Sequence, residues 1–247
     1  RDTDRSRGLG DVYKRQIYDT ANAPVKKALN GTTYTWIKVT YYYKGSNDQY
    51  LMATEATGWV TQNNTTEVST TIPDKSSIYS GNQSYKQNER LVNARYIFDY
   101  LRSLSSSKRW SVNAICATLG NMEAESGITP GKWEVLNDTS RGFGLVQWTP
   151  ASNFINALGT SESKTDIDVQ LKRIQAEVDG TYTQWTSSSH SPAMTFSEYT
   201  KSTKTVATLA EYFLRCYERP EITTGMVSER KRCAEKWYNI LSAVGDI

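Results

Sequence analysis

A single histidine and three cysteines in 247 residues narrow the chemistry before any motif is read. The one imidazole, His190, sits in a Ser-rich stretch, SSSHSP. A zinc site made of protein ligands and a Cys–His peptidase both lack parts on that inventory. Cys116, Cys216 and Cys233 are too few for a disulfide framework, and an odd one stays unpaired. Cys116 falls on an apolar helix face as a buried thiol. Cys216 and Cys233 fall on successive predicted helices, and a bridge between them stays open. No apolar run approaches about 18 residues, so no membrane span is expected. Charge of one sign is missing too: 29 Lys+Arg face 26 Asp+Glu, a net charge of +3. No long basic run appears, which argues against a nucleic-acid-binding face. No metal and no cofactor are expected.

What is present is aromatic. Seven Trp and 16 Tyr accompany a hydrophobic content of 38%, enough for one good-sized domain plus a small one. Aromatic faces stack on pyranose rings, but they also fill cores, so the surplus alone assigns nothing. Residues 1–16 read RDTDRSRGLGDVYKRQ, without apolar period or signal-peptide pattern. They look like translated adaptor sequence at the end of a metagenomic gene fragment and are set aside from fold reasoning, with the natural N-terminus expected to be missing.

Residues 17–68 read as β, carried by runs such as TYTWIKVTYYY and GWVTQ with polar breaks between them. Residues 69–87 are polar, aperiodic and contain a proline, the composition of a linker. From residue 88 the period turns helical. Leu91, Ala94, Ile97, Phe98 and Leu101 mark a first helix. Ser111 is placed to cap a second, carried by Val112, Ile115, Cys116, Leu119 and Met122. Thr149-Pro150 offers a cap and a first-position proline for a short helix. Thr165 and Thr205 are expected caps of two more, the latter ending near Arg219 because Pro220 follows. A last helix is expected from Met226 to Val244. The Gly-rich stretch 127–147 reads as a small β-hairpin.

The second helix has two faces. Ala114, Thr118, Asn121 and Glu125 form a stripe of small and polar groups that ends in a carboxylate, a surface suited to floor a cleft. Glu123 falls instead on the apolar face, where burial would favour a protonated carboxyl. About 200° separates the two, so both cannot serve one cleft. Periodicity does not choose between them.

The run NMEAESGITPGKWE…SRGFGLVQWTPA resembles the phage tail lysozyme family and, more distantly, goose-type lysozymes and lytic transglycosylases. The resemblance rests on three blocks. They are Glu125-Ser126 with Pro130, then Gly144-Leu145-Val146-Gln147-Trp148-Thr149-Pro150, then Tyr217-Glu218-Arg219-Pro220. It implies an α+β fold: a mainly α-helical lysozyme-like domain with a small β-hairpin over residues 88–247, preceded by the small β module. The W-I-K-V and G-W-V strings of that module resemble bacterial SH3-like wall-binding units, and an unassigned small β domain is the alternative.

The resemblance implies a peptidoglycan hydrolase cleaving the β-1,4 bond between N-acetylmuramic acid and N-acetylglucosamine, with Glu125 as general acid. Asp138, in the turn NDTSRG, is the candidate second carboxylate, and Glu134 an alternative. Ser126, Gly144, Gln147, Trp148, Tyr217 and Glu218 are the expected substrate contacts. Trp148 and Trp133 are open between stacking on sugar and packing. Glu218 is open between a cleft wall and a surface pair with Arg215 or Arg219. Lytic transglycosylation and a catalytically silent tail protein remain the alternative functions. The expected partner is bacterial peptidoglycan, with the chain a monomer or part of a larger multidomain protein, in the cell wall or a phage virion.

Overall fold

The computed structural model describes strands within residues 16–61 and then residues 72–187 and 194–241. Residues 1–15 and His190 with its loop lie outside the described residues. The chain divides into two compact units, Arg1–Val68 and Ser69–Ile247.

The first unit is an antiparallel sheet of β1 (Gln16–Tyr18), β2 (Val25–Leu29), β3 (Thr32–Lys44) and β4 (Tyr50–Thr61). β3 is the centre. It pairs with β2 through Thr32–Trp36 and β1 through Val39–Tyr41, and with β4 from Trp36 to Lys44, with a register shift between Tyr42 and Lys44. Its Thr, Val, Ile, Tyr and Trp content suits a pleated surface. The two strings noted in the sequence lie side by side: Ile37 faces Val60, Lys38 faces Trp59 and Val39 faces Gly58.

The second unit is mainly helical: α1 (Gln87–Ser103), α2 (Val112–Ser126), α3 (Ser152–Ile155), α4 (Ile167–Val178), α5 (Phe196–Lys201), α6 (Val206–Phe213) and α7 (Thr224–Leu241). A π-helical turn, Leu214–Glu218, continues α6. The α1 face expected from periodicity is the buried one, Leu91, Ala94, Ile97, Phe98 and Leu101. α2 is the central helix and packs against α1, α5, α6 and α7. Ser111 caps it, its hydroxyl accepting from the Ala114 amide at 3.1 Å. Gly120 lets α7 come close, because a Cβ there would stand 2.5 Å from the Ala234 backbone nitrogen.

Several expectations are corrected. The stripe Ala114, Thr118, Asn121 floors no cleft; all three residues are buried. Thr118 meets the Tyr199 hydroxyl at 3.0 Å and Asn121 donates to the Ala210 carbonyl at 3.1 Å, so α5 and α6 cover it. Asp166, not Thr165, caps α4, and Ala151 stands at the N-cap position of α3, behind a cis Thr149-Pro150 bond. Within the expected linker, residues 75–82 lie against the helical body. Lys75 pairs with Asp166 and Asp168 at 2.8 Å, Tyr79 exchanges two bonds with Asn93, and Asn82 accepts from the Trp133 amide at 3.0 Å. Polar composition there reflects backbone groups satisfied by side chains rather than by solvent. The expected hairpin reduces to isolated bridges, Trp133 with Phe143 and Phe143 with Trp148. Positive φ at Gly144 (84°) and Gln147 (50°) turns the chain too sharply for a regular ladder. All three cysteines are buried thiols, so Cys216 and Cys233 are not bridged.

Candidate active site

Glu125 lies in the last turn of α2. Gly127 follows with φ +64°, and Ile128 with φ 57°. A β-branched residue rarely takes that conformation, and it is retained here with Ile128 fully buried. Ser126 fixes this end to the loop beyond: its hydroxyl donates to the carbonyls of Met122 (3.0 Å) and Leu145 (2.9 Å) and accepts from the Thr129 amide. At 4% exposure, Ser126 positions Glu125 and offers nothing to a ligand.

Glu218 closes the π-helical turn and is followed by Arg219 in the left-handed region, φ 55°. A π turn carries one residue more per turn than the α-helix, so it re-aims the side chains at its end. Here it sends Glu218 inward. Both carboxylates therefore stand at helix C-termini, where the helix dipole disfavours negative charge. Arg230 of α7 answers them both. Its Nη2 donates to Glu125 Oε1 and, at 3.1 Å, to Glu218 Oε2, which also receives Nε at 3.3 Å. Side-chain exposure is 5% for Arg230 and Glu218 but 24% for Glu125. Burial pushes the Glu218 carboxyl up to about 8; the neighbouring Glu125 adds to the rise and Arg230 opposes it.

Glu123 lies on the other side of the same helix end. It accepts from Arg90 Nη1 (3.0 Å), Lys236 Nζ (2.5 Å) and Trp237 Nε1 (2.8 Å). One carboxylate there meets two cations and an indole N–H. The Glu218 reading as a surface pair with Arg215 or Arg219 is corrected, since Arg215 bonds Glu211 and Arg219 reaches the Thr186 hydroxyl.

The other expected site residues scatter. Asp138 is half-buried, and its Oδ1 accepts from the Ser140 amide (2.9 Å) and hydroxyl (2.6 Å), which holds its carboxyl below the usual range. Glu134 accepts from Arg141 and from the Gly142 amide at 2.9 Å. The carboxylate that shares Arg230 with Glu125 is Glu218. Trp148 stacks on Phe154 with ring centroids 4.5 Å apart, and its Nε1 donates to Glu177 at 2.9 Å. Trp148 is thus a packing residue. Tyr217 is buried as well, its hydroxyl 2.5 Å from Glu177 Oε2. Gln147 braces its own loop through the carbonyls of Lys132 and Gly144. Gly144 is required by backbone geometry, since a Cβ would meet Gln170 Oε1 at 2.8 Å. An open depression lined by Trp148, Asn153, Arg173 and Tyr182 does not include Glu125.

Residues 92–241 match the phage tail lysozyme family. The chain belongs to that family. Morphogenesis protein 1 of Bacillus phage B103 is 45% identical over 170 residues, which cover 68% of this chain and 44% of that protein. The chain thus spans less than half the length of this relative. For a phage tail lysozyme, the charge arrangement at the end of α2 is the feature sequence reading missed. Arg230 lies 105 residues from Glu125 within a run of charges, SERKR, that marks none of them as inward. Glu177 escaped notice as well, although it gathers Trp148, Tyr217 and Arg173 in the core. Among the described residues no cluster of His, Cys, Asp and Glu is arranged to hold a metal, and no helix is long and apolar enough to cross a membrane.

Proposed function

We propose that the chain is a peptidoglycan-cleaving glycosidase that breaks the β-1,4 bond between N-acetylmuramic acid and N-acetylglucosamine, with Glu125 as general acid. The observation that carries this reading is the asymmetry of the carboxyl pair. Glu125 is the member that solvent reaches, 24% against 5% for Glu218. A general acid must meet the glycosidic oxygen while keeping a proton near neutral pH. Proximity to a second carboxyl favours one proton within the pair, and Arg230 balances the one charge that remains.

Departure of the leaving sugar needs that proton, and the positive anomeric centre then needs a nucleophile. Asp138 and Glu134 are taken up by their own loop, and the Glu218 side chain is only 5% exposed, which argues against a covalent carboxylate intermediate. That favours attack by water or by the substrate's own 6-hydroxyl, the lytic transglycosylase outcome. The site would act on the cell wall from a phage tail, in keeping with the phage tail lysozyme family. The sheet of residues 16–61 is the candidate wall-binding module on the pairing of its two SH3-like strings. The test is mass spectrometry of peptidoglycan digested by the full chain. New reducing ends indicate hydrolysis, anhydro ends indicate transglycosylation, and unchanged glycan strands would defeat the reading.

A further inference from the structure

Two glutamates and one arginine meet where the ends of α2 and the π-helical turn abut α7, out of reach of most solvent. With both carboxyls ionised, the group would carry a net charge of −1 at buried positions, which is costly. The geometry gives a sharper sign. Glu218 accepts from the same Arg230 Nη2 as Glu125, which brings the two carboxyls together. Its Oε2 is held by Arg230, yet its Oε1 is buried without any donor. Two bare carboxylate oxygens repel at that range, and an orphaned buried acceptor costs free energy of its own. A proton on Glu218 removes both penalties, because the O–H then donates to Glu125.

We propose that Glu218 and Glu125 share one proton, bridged by Arg230, and that Glu218 is the positioning residue that keeps this proton available to Glu125. This rests on the glycosidase reading above. At rest the proton sits on Glu218, and Glu125 is the anion bonded to Arg230. As substrate binds, the proton crosses from Glu218 to Glu125. Glu218 becomes the anion and keeps both Arg230 contacts, so the net charge of the group does not change. Glu125 then gives the proton to the glycosidic oxygen, which takes the electron pair of the breaking C–O bond. The water or sugar hydroxyl that bonds to the anomeric carbon returns a proton to the pair. Atoms and charge balance over the cycle.

Other groups around Glu218 support this assignment. From α5, Tyr199 lies within electrostatic range of it; burial keeps the Tyr199 hydroxyl, which meets Thr118, protonated, and Cys116 and Cys216 near that tyrosine are buried thiols. From α7, Glu229 lies 4.0 Å from Arg230 on the solvent side and is half exposed. Arg230 is the cation that bonds the two carboxyls.

The test is the pH profile of kcat/KM on purified cell walls for the full chain and Glu218→Gln. Gln keeps the shape but cannot pass a proton, and it leaves Glu125 alone with Arg230. The alkaline limb should move down by at least one pH unit, so activity near pH 7 falls about tenfold or more and recovers at lower pH. A merely structural role would lower activity by one factor at every pH, and that parallel drop would overturn the proposal. A profile identical to the parent would overturn it too. The glycosidase reading is checked separately by Glu125→Gln: if that variant is inactive while Glu218→Gln keeps the parental profile, only the shared proton is wrong. If Glu218→Gln does not fold, infrared spectra of the parent with isotope-labelled glutamate decide. A protonated carboxyl band should persist at pH 7, and its absence would overturn the proposal.

Discussion

The two sides of the last turn of α2 carry the same residue type in opposite electrostatic settings. Around Glu123, one carboxylate meets Arg90, Lys236 and the Trp237 N–H. Around Glu125, two carboxylates meet one arginine. The first cluster has more cation than it needs and is a structural tie between α1, α2 and α7. The second is one positive charge short, and a proton makes up the difference. Counting charges separates a brace from a reactive group more sharply than burial does, since Glu123 is the less exposed of the two, 9% against 24%. Glu123, which periodicity places on the apolar face of α2, meets three donors there.

The comparison breaks most visibly if one cation is taken from each side. Arg230→Met should destabilise the fold by about 3–5 kcal/mol at pH 8 and above, because a buried carboxylate loses its partner. The loss should shrink toward pH 4 as the Glu218 carboxyl takes its proton, and denaturant unfolding across that range reads it directly. In the parent, the Glu218 carboxyl is raised from 4.5 to about 8, so its contribution to stability is full below pH 4.5 and is lost as pH rises through 8. Glu218→Gln should flatten that part of the stability profile.

Removing Lys236, one of the two cations on Glu123, should cost only about 1 kcal/mol in Lys236→Met, since Arg90 and Trp237 remain. A cost matching that of Arg230→Met would erase the distinction between the clusters. Smallest of all, Asp138→Asn should leave both turnover and melting temperature near parental values, because the turn that holds Asp138 tolerates asparagine. A large loss of turnover there would restore Asp138 as the second carboxylate that its sequence position first pointed to.

How much of this was legible follows from which interactions are local. The α1 face and the Ser111 and Thr205 caps obey rules that act within a few residues, and they stand where sequence reading put them. The polar stripe on α2 misled, because its partners come from α5 and α6, more than eighty residues away. α5 spans six residues, too short for its period to show. The inward turn of Glu218 depends on a π-helical insertion, whereas the pattern through Arg219 read as an unbroken helix. Trp148 and Tyr217 looked like sugar contacts by their motifs and proved to be donors to the buried Glu177, a residue with no motif around it.

The most direct test of the account compares Glu125→Gln with Glu123→Gln in the full chain, scoring peptidoglycan bonds cleaved per unit time at fixed pH, with folding checked by circular dichroism. Loss of a positioned general acid costs about 10²–10⁴ in rate, so Glu125→Gln should fall by that order while Glu123→Gln stays within several-fold of the parent. Retained cleavage in a folded Glu125→Gln, with cleavage abolished in a folded Glu123→Gln, would contradict the account and move the reactive carboxyl to the other side of the helix.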